Sequence, residues 1–266
     1  MVSSTHSGVP SAPHHTLIKA QFTQQAELFA NASVLHDAAA LDALALAATP
    51  KITDTALDIA CGPGTVVAAF AGRVSHATGL DATSAMLAQA RNLGARLALS
   101  NVSWIQGDVC ALPFTQETFD IVSCRFAFHH FEAPEKAFAE MLRVCRRAGR
   151  IVLCDAVASD DASKAKAFND MERLRDPSTV EFRSLAFLRD LYLHAGLPAP
   201  TSTFYHVPLE MEALLRTSFP AGDDHEAVRK MLRDAVEGDQ MGINLRRRGD
   251  SVRFDYPAAI LVSAKP

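Results

Sequence analysis

The chain has 266 residues, 48% hydrophobic and 21% charged, enough to bury a full core in one large α/β domain or, as is favoured here, in a domain with a sizeable accessory part. A formal net charge of -4 with both signs interspersed gives no electrostatic reason to expect a nucleic-acid or anionic-membrane partner, so a small-molecule partner is expected. Five cysteines without a CxxC pair speak against a disulfide framework, and neither a run of about 18 apolar residues nor a signal-peptide core occurs, which together suggest a cytoplasmic protein.

Residues 1–15, rich in Ser, His and Pro, are expected to be a disordered tail. Over 16–48 apolar residues such as Leu17, Phe22, Phe29, Leu41 and Leu44 recur at roughly helical spacing, which predicts two or three helices ended by Pro50. A regular alternation follows. Strand-like runs at 56–60 (ALDIA), 76–80 (HATGL), 102–107 (VSWIQG), 119–124 (FDIVSC) and 150–156 (RIVLCDA) are separated by helical segments after Gly64, at 83–98 and at 134–147. Alternating strands and helices predict a parallel, doubly wound sheet. Beyond residue 158 the pattern changes to helices at 162–175 and 184–195, a strand at 201–209, helices at 211–218 and 224–237, and a strand at 252–265. Antiparallel addition of these late strands to the sheet edge is expected. The basic run Arg246, Arg247, Arg248 reads as a solvated loop.

The stretch LDIACGPGT (57–65) runs from a strand into two glycines. A nicotinamide loop wants GxGxxG, but Val67 occupies the third place, so a pyrophosphate loop is the weaker reading. Asp58 precedes Gly62 by four positions, and Asp81 follows the next strand, 23 residues after Asp58, as strand, helix and strand require. A carboxylate at Asp81 can accept both hydroxyls of a ribose while bare glycine backbone lets the ligand lie close. In GDVCALPF (107–114), Asp108 can accept from an exocyclic adenine amine and Val109 can offer a backbone amide to the ring. That set describes a nucleoside ligand.

LDIACGPGT, GLDATSAML, QGDVCALPF, FDIVSCRFAFHHF and EMLRVCRRAGRIVLCD, taken together in order, resemble the successive motifs of class I S-adenosylmethionine-dependent methyltransferases, of the small-molecule, quinone-biosynthesis-like branch (methyltransferase type 11). The resemblance covers about 52–157. It departs from the family at Ala60, where glycine is frequent, and at Arg147 to Arg150, which read RAGR where "RPGG" is usual. It implies a Rossmann-like α/β sheet of seven strands in the order 3-2-1-4-5-7-6, the last strand antiparallel. It also implies a helical lid at 16–50, a cofactor-binding core at 51–158, a helical substrate-side segment at 159–198, and a sheet-completing part at 199–266. By position, Asp58, Ala60, Gly62, Gly64, Asp81, Ala82, Met86, Asp108, Val109 and Arg125 would bind S-adenosyl-L-methionine.

Methyl transfer from a sulfonium needs a general base only when the nucleophile arrives protonated. His129 and His130, with Arg125, are the catalytic candidates, and Asp155, Tyr205 and His206 are further residues within possible reach of the same cavity. Phe22 and Phe29 are expected to face the substrate from the lid, and 171–187 to wall it, with Arg183 more suited to a surface ion pair than to gripping an anion. No metal-ligand spacing occurs, so metal-independent chemistry is expected, by a monomer or homodimer. Three alternatives stay open: S-adenosylmethionine held for cyclisation or sensing, a nicotinamide oxidoreductase, and nucleic-acid base methylation. CRFAFHHF stands where the last would carry Asn/Asp-Pro-Pro-aromatic.

Overall fold

The computed structural model describes residues 14–30, 37–249 and 251–266. Five strands come from the alternating region: β1 (Thr55–Ile59), β2 (His76–Asp81), β3 (Val102–Gln106), β4 (Phe119–Arg125) and β5 (Cys145–Ala156). Three come from the tail end: β6 (Thr201–Glu210), β7 (Arg246–Arg248) and β8 (Ser251–Ala264). They form one sheet in the order β3-β2-β1-β4-β5-β8-β6, with β7 pairing to β8 outside that path. β1 to β5 run parallel, and β8 is antiparallel to β5, β6 and β7.

The helices are α1 (His14–Ala30), α2 (Ala38–Ala47), α3 (Thr65–Ala71), α4 (Ser84–Arg96), α5 (Pro134–Val144), α6 (Ala162–Arg175), α7 (Leu185–His194), α8 (Met211–Leu215) and α9 (His225–Asp234). Parallel strands need helices on both faces, and the central ones are accordingly near-continuous apolar runs. One layer packs Phe138 and Met141 of α5 and Tyr192 of α7 against Leu57, Val122 and Leu153. The opposite layer packs Leu44 of α2 and Val66, Val67 and Phe70 of α3 against Ile121 and Val152. A third cluster joins Phe168, Met211, Val228 and Leu232 of α6, α8 and α9 to Phe254 of β8.

The sheet departs from expectation in one strand. Arg246–Arg248 is not a loop but the short exposed strand β7, which forms a hairpin with β8, so the expected seventh strand is the eighth. Arg246 is fixed there by Asp255, at 2.6 and 3.1 Å, on the adjoining strand. The helix expected to run to 147 stops at Val144, because Cys145 already pairs with Phe119 before a bulge lets the register resume at Ile121 with Arg150. Of the expected disordered tail, 1–13 lies outside the described residues and 14–15 opens α1; residues 31–36 of the expected N-terminal helices also lie outside them.

Candidate functional site

The carboxyl ends of β1, β2, β3 and β4 and the inner face of α1 enclose a cavity of about 450 Å³. Leaving β1, Ala60 and Gly62 both have φ of +50° and Gly64 has +86°, a left-handed turn that lifts the chain over the sheet. A Cβ at Gly62 would meet no atom within 4 Å, so open space lies above it, whereas one at Gly64 would stand 2.6 Å from the Trp104 ring. The two glycines therefore do different work. Gly62 borders the cavity; Gly64, expected to bind ligand, is turned away from it and lets Trp104 pack beneath the loop.

Asp81, at the end of β2, fixes that loop: it accepts the Gly62 amide at 2.9 Å and the Thr83 amide at 2.8 Å. Burial raises its carboxyl above the ordinary value, and the two amides oppose the rise. Asp58, 3% exposed, faces the same cavity and accepts from the Ser123 hydroxyl at 2.7 Å, its cross-strand partner in β4. Burial pushes the Asp58 carboxyl up to about 7, opposed by Ser123 and by the Arg125 charge and helped by Asp81. Ala82, Met86, Asp108, Val109 and Arg125 complete the expected set on this wall. Asp108 also holds its own turn through the Cys110 amide at 2.8 Å.

A second cavity of about 470 Å³ adjoins the first, and both are lined by Phe22 and Phe29 of α1 and by Phe126 and His130 after β4. Phe126 has φ of +51°, a strained geometry for a phenylalanine, worth about 1–2 kcal/mol, that turns the chain out of β4 and sets its ring between the cavities. Sequence reasoning missed it, because nothing in CRFAFHHF marks a left-handed residue. His130 donates through Nδ1–H to the Ser178 carbonyl at 2.9 Å and meets the Phe22 ring edge-on at 4.9 Å. Burial, with His129 alongside, pulls its imidazole down to about 3. His129 lines only the second cavity; its Nδ1 lies 2.8 Å from Asp155 Oδ1 and its ring stacks on Phe182 at 4.0 Å.

The other candidates separate. Tyr205 borders neither cavity and bonds Cys154 at 3.3 Å, and His206 is exposed on the edge strand β6. Arg183 is paired with Glu181 at 2.6 Å, as an ordinary ion pair would be, while Arg175, Asp176 and Phe182 from 171–187 do wall the second cavity. Among the described residues no group of three or more His, Cys, Asp or Glu is placed to hold a metal ion, and no helix is long and apolar enough to cross a membrane.

Residues 57–153 match the Methyltransferase domain family. The uncharacterized methyltransferase YcgJ of Bacillus subtilis is 28% identical over 92% of this chain and 97% of its own length. Its crystal structure superposes with a TM-score of 0.78 over 85% of this chain and 97% of that one. Residues 57–153 thus match a methyltransferase domain, and the relatives and solved structures that resemble the rest of the chain are methyltransferases of the S-adenosylmethionine-dependent kind. A putative methyltransferase from Bacillus halodurans, 25% identical, gives the same TM-score of 0.78 over 85% of this chain and 98% of that one. A ubiquinone/menaquinone biosynthesis C-methyltransferase, UbiE of Roseobacter denitrificans, is 33% identical over 45% of this chain and 49% of its own length.

The cofactor of this methyltransferase is S-adenosyl-L-methionine, and the chain's own geometry fits it. The open space above Gly62, the buried carboxylates Asp58 and Asp81, and a volume within the roughly 300–1,000 Å³ of small-molecule sites meet at one cavity. A dinucleotide loop fits less well, because Val67, at the third glycine place, is a buried core residue of α3 itself.

Proposed function

We propose that this methyltransferase transfers a methyl group in line to a small-molecule acceptor held in the second cavity. The observation that carries the reading is the pair of adjoining cavities, which share the wall of Phe126, His130, Phe22 and Phe29. When bound, S-adenosyl-L-methionine supplies an electrophilic methyl on a sulfonium whose charge disappears during transfer. Asp81 would accept the ribose hydroxyls, Asp108 and the Val109 amide would take the adenine edge, and Met86 would pack on its ring. Gly62 with Ala60 and Ala82 would shape the loop, and Arg125 and Asp58 would stand at the amino-acid end, where opposite charges are recognised. The apolar wall between the cavities would exclude water and hold the two partners in line, and positioning of this kind reaches effective molarities on the order of 10⁵ M or more.

Segment 16–50 would act as the lid, with α1 laid over both cavities, 51–158 as the cofactor core, 159–198 as the acceptor side, and 199–266 as the closing edge. A cytoplasmic location, a monomer or homodimer, and no nucleic-acid partner complete the proposal. His130, neutral near pH 7 and bonded to Ser178, would serve as wall and hydrogen-bond group. The test is transfer of a labelled methyl from S-adenosylmethionine to a low-molecular-weight extract, with binding of S-adenosylhomocysteine measured alongside by calorimetry. Binding without transfer would point to cyclisation or sensing; no binding would overturn the reading.

A further inference from the structure

His129 is held at every polar atom but one. Its backbone N–H donates to Asp155 Oδ2 at 3.1 Å, and its carbonyl accepts from the Val180 and Glu181 amides at 2.9 and 3.0 Å. Its Nδ1 lies 2.8 Å from Asp155 Oδ1, and both residues are buried, at 7% and 2% exposure. Asp155 Oδ1 also accepts the Ala156 amide at 2.8 Å, so the carboxylate sits fixed at the tip of β5. Among the described residues no group takes up Nε2, and the ring that carries it borders the second cavity and not the first. A histidine kept only for packing has no use for a buried carboxylate that binds both its ring and its backbone.

Resting on the function proposed above, we infer that His129 is a general base oriented by Asp155, and that the acceptor is a compound with an ionisable hydroxyl, of the phenol or enol class. Asp155 is the positioning residue: by taking Nδ1–H it fixes the tautomer in which Nε2 carries the lone pair, and it stands beside the positive charge that arises on the ring. His129 Nε2 takes the hydroxyl proton. The oxygen's electron pair then forms the new bond to the methyl carbon as the carbon–sulfur bond breaks, its pair going to sulfur, and the imidazolium later returns its proton to water. A neutral hydroxyl cannot be methylated without losing that proton, whereas an amine attacks with a free lone pair and needs no base. The dyad therefore selects for the hydroxyl. His130, bonded through Nδ1 to Ser178 and touching Phe22, completes the wall but has no carboxylate on its ring.

The test uses the full chain with S-adenosylhomocysteine bound and 4-nitrophenol, whose phenolate absorbs in the visible and whose neutral form does not. The wild type should bind it as the phenolate, lowering its apparent pKa by roughly one unit or more, as a neighbouring positive charge does. His129→Gln and Asp155→Asn should abolish that shift while S-adenosylhomocysteine binding stays within about twofold. In labelled-methyl transfer, 4-methylphenol should be preferred to 4-methylaniline, and His129→Gln should lower kcat by about 10²–10⁴ with little change in the KM of S-adenosylmethionine. That loss should shrink for 4-nitrophenol once pH has ionised it, which a packing role would not produce. If Asp155→Asn fails to fold, the His129→Gln results decide alone. A phenolate shift that survives His129→Gln, preference for the aniline, or no transfer to either phenol overturns the inference, while absence of S-adenosylhomocysteine binding by the wild type overturns the function beneath it as well.

Discussion

Replacing Asp58 by Asn should make the protein more stable and a poorer cofactor binder at once. The carboxyl is 3% exposed, and burial moves it from 3.8 to about 7. The folded state therefore keeps a proton that the unfolded chain has already released. Stability from this group is fully present below pH 3.8 and is lost as pH rises towards 7, by about 1.4 kcal/mol per pH unit and about 4 kcal/mol in all. Asn carries no such cost and keeps an oxygen for the Ser123 hydroxyl, though as a neutral and weaker acceptor, about 1 kcal/mol poorer. The net gain at pH 8 should be about 3 kcal/mol, a rise in Tm of roughly 6–12 °C, shrinking to nothing near pH 4. If the carboxylate meets the cofactor's ammonium, S-adenosylhomocysteine should bind Asp58→Asn at least tenfold more weakly. Wild-type binding near pH 6 should also release a proton, detectable by calorimetry in buffers of different ionisation heat. A variant less stable than wild type at pH 8, or one that binds equally well, would refute the reasoning.

Asp81→Asn can accept only one of the Gly62 and Thr83 amides and turns an NH₂ towards the other, so stability should fall by about 1–3 kcal/mol and S-adenosylhomocysteine affinity by tenfold or more. Unchanged affinity by calorimetry would remove Asp81 from the ribose. Gly64→Ala puts a Cβ 2.6 Å from Trp104 at a φ of +86°, and should cost at least about 2 kcal/mol in denaturant unfolding. Ala60→Gly, which relieves a φ of +50°, should change stability by less than about 1 kcal/mol, in the stabilising direction. His130, whose imidazole is held down to about 3, contributes stability that is present above its ordinary 6.5 and lost as pH falls through 6.5 towards 3. His130→Gln should therefore flatten acid unfolding over that range, as followed by circular dichroism, and leave the shape of the rate profile between pH 6 and 9 unchanged.

The first cavity was more legible in the sequence than the second. Strand–loop–helix motifs are local, so LDIACGPGT, GLDATSAML and QGDVCALPF bring Asp58, Gly62, Asp81, Met86, Asp108 and Val109 to one cavity simply by following parallel strands to their carboxyl ends. Gly64 shows the limit of that logic, since its missing Cβ serves Trp104, 40 residues along. The second cavity had no comparable signature. Its walls come from the chain after β4, the end of α6, β6, α8 and the β7–β8 hairpin, and only their packing makes a site. Arg246 to Arg248 read as a loop because a three-residue edge strand of arginines has neither apolar alternation nor burial to betray it.

The order of motifs, the doubly wound parallel core and the carboxylates at the sheet ends, Asp58, Asp81 and Asp108, were determined by residues close together in the chain, where hydrophobic period and turn chemistry act. Which glycine faces the ligand, which histidine meets a carboxylate and where Phe126 turns were decided only by tertiary structure. Those outcomes depend on strand register and on contacts between residues tens of positions apart. Asp58 meets Ser123 through the pairing of β1 with β4, and His129 meets Asp155 because β5 lies beside β4. A sequence pattern states which side chains are available at a sheet end; the three-dimensional packing of the strands states which of them touch.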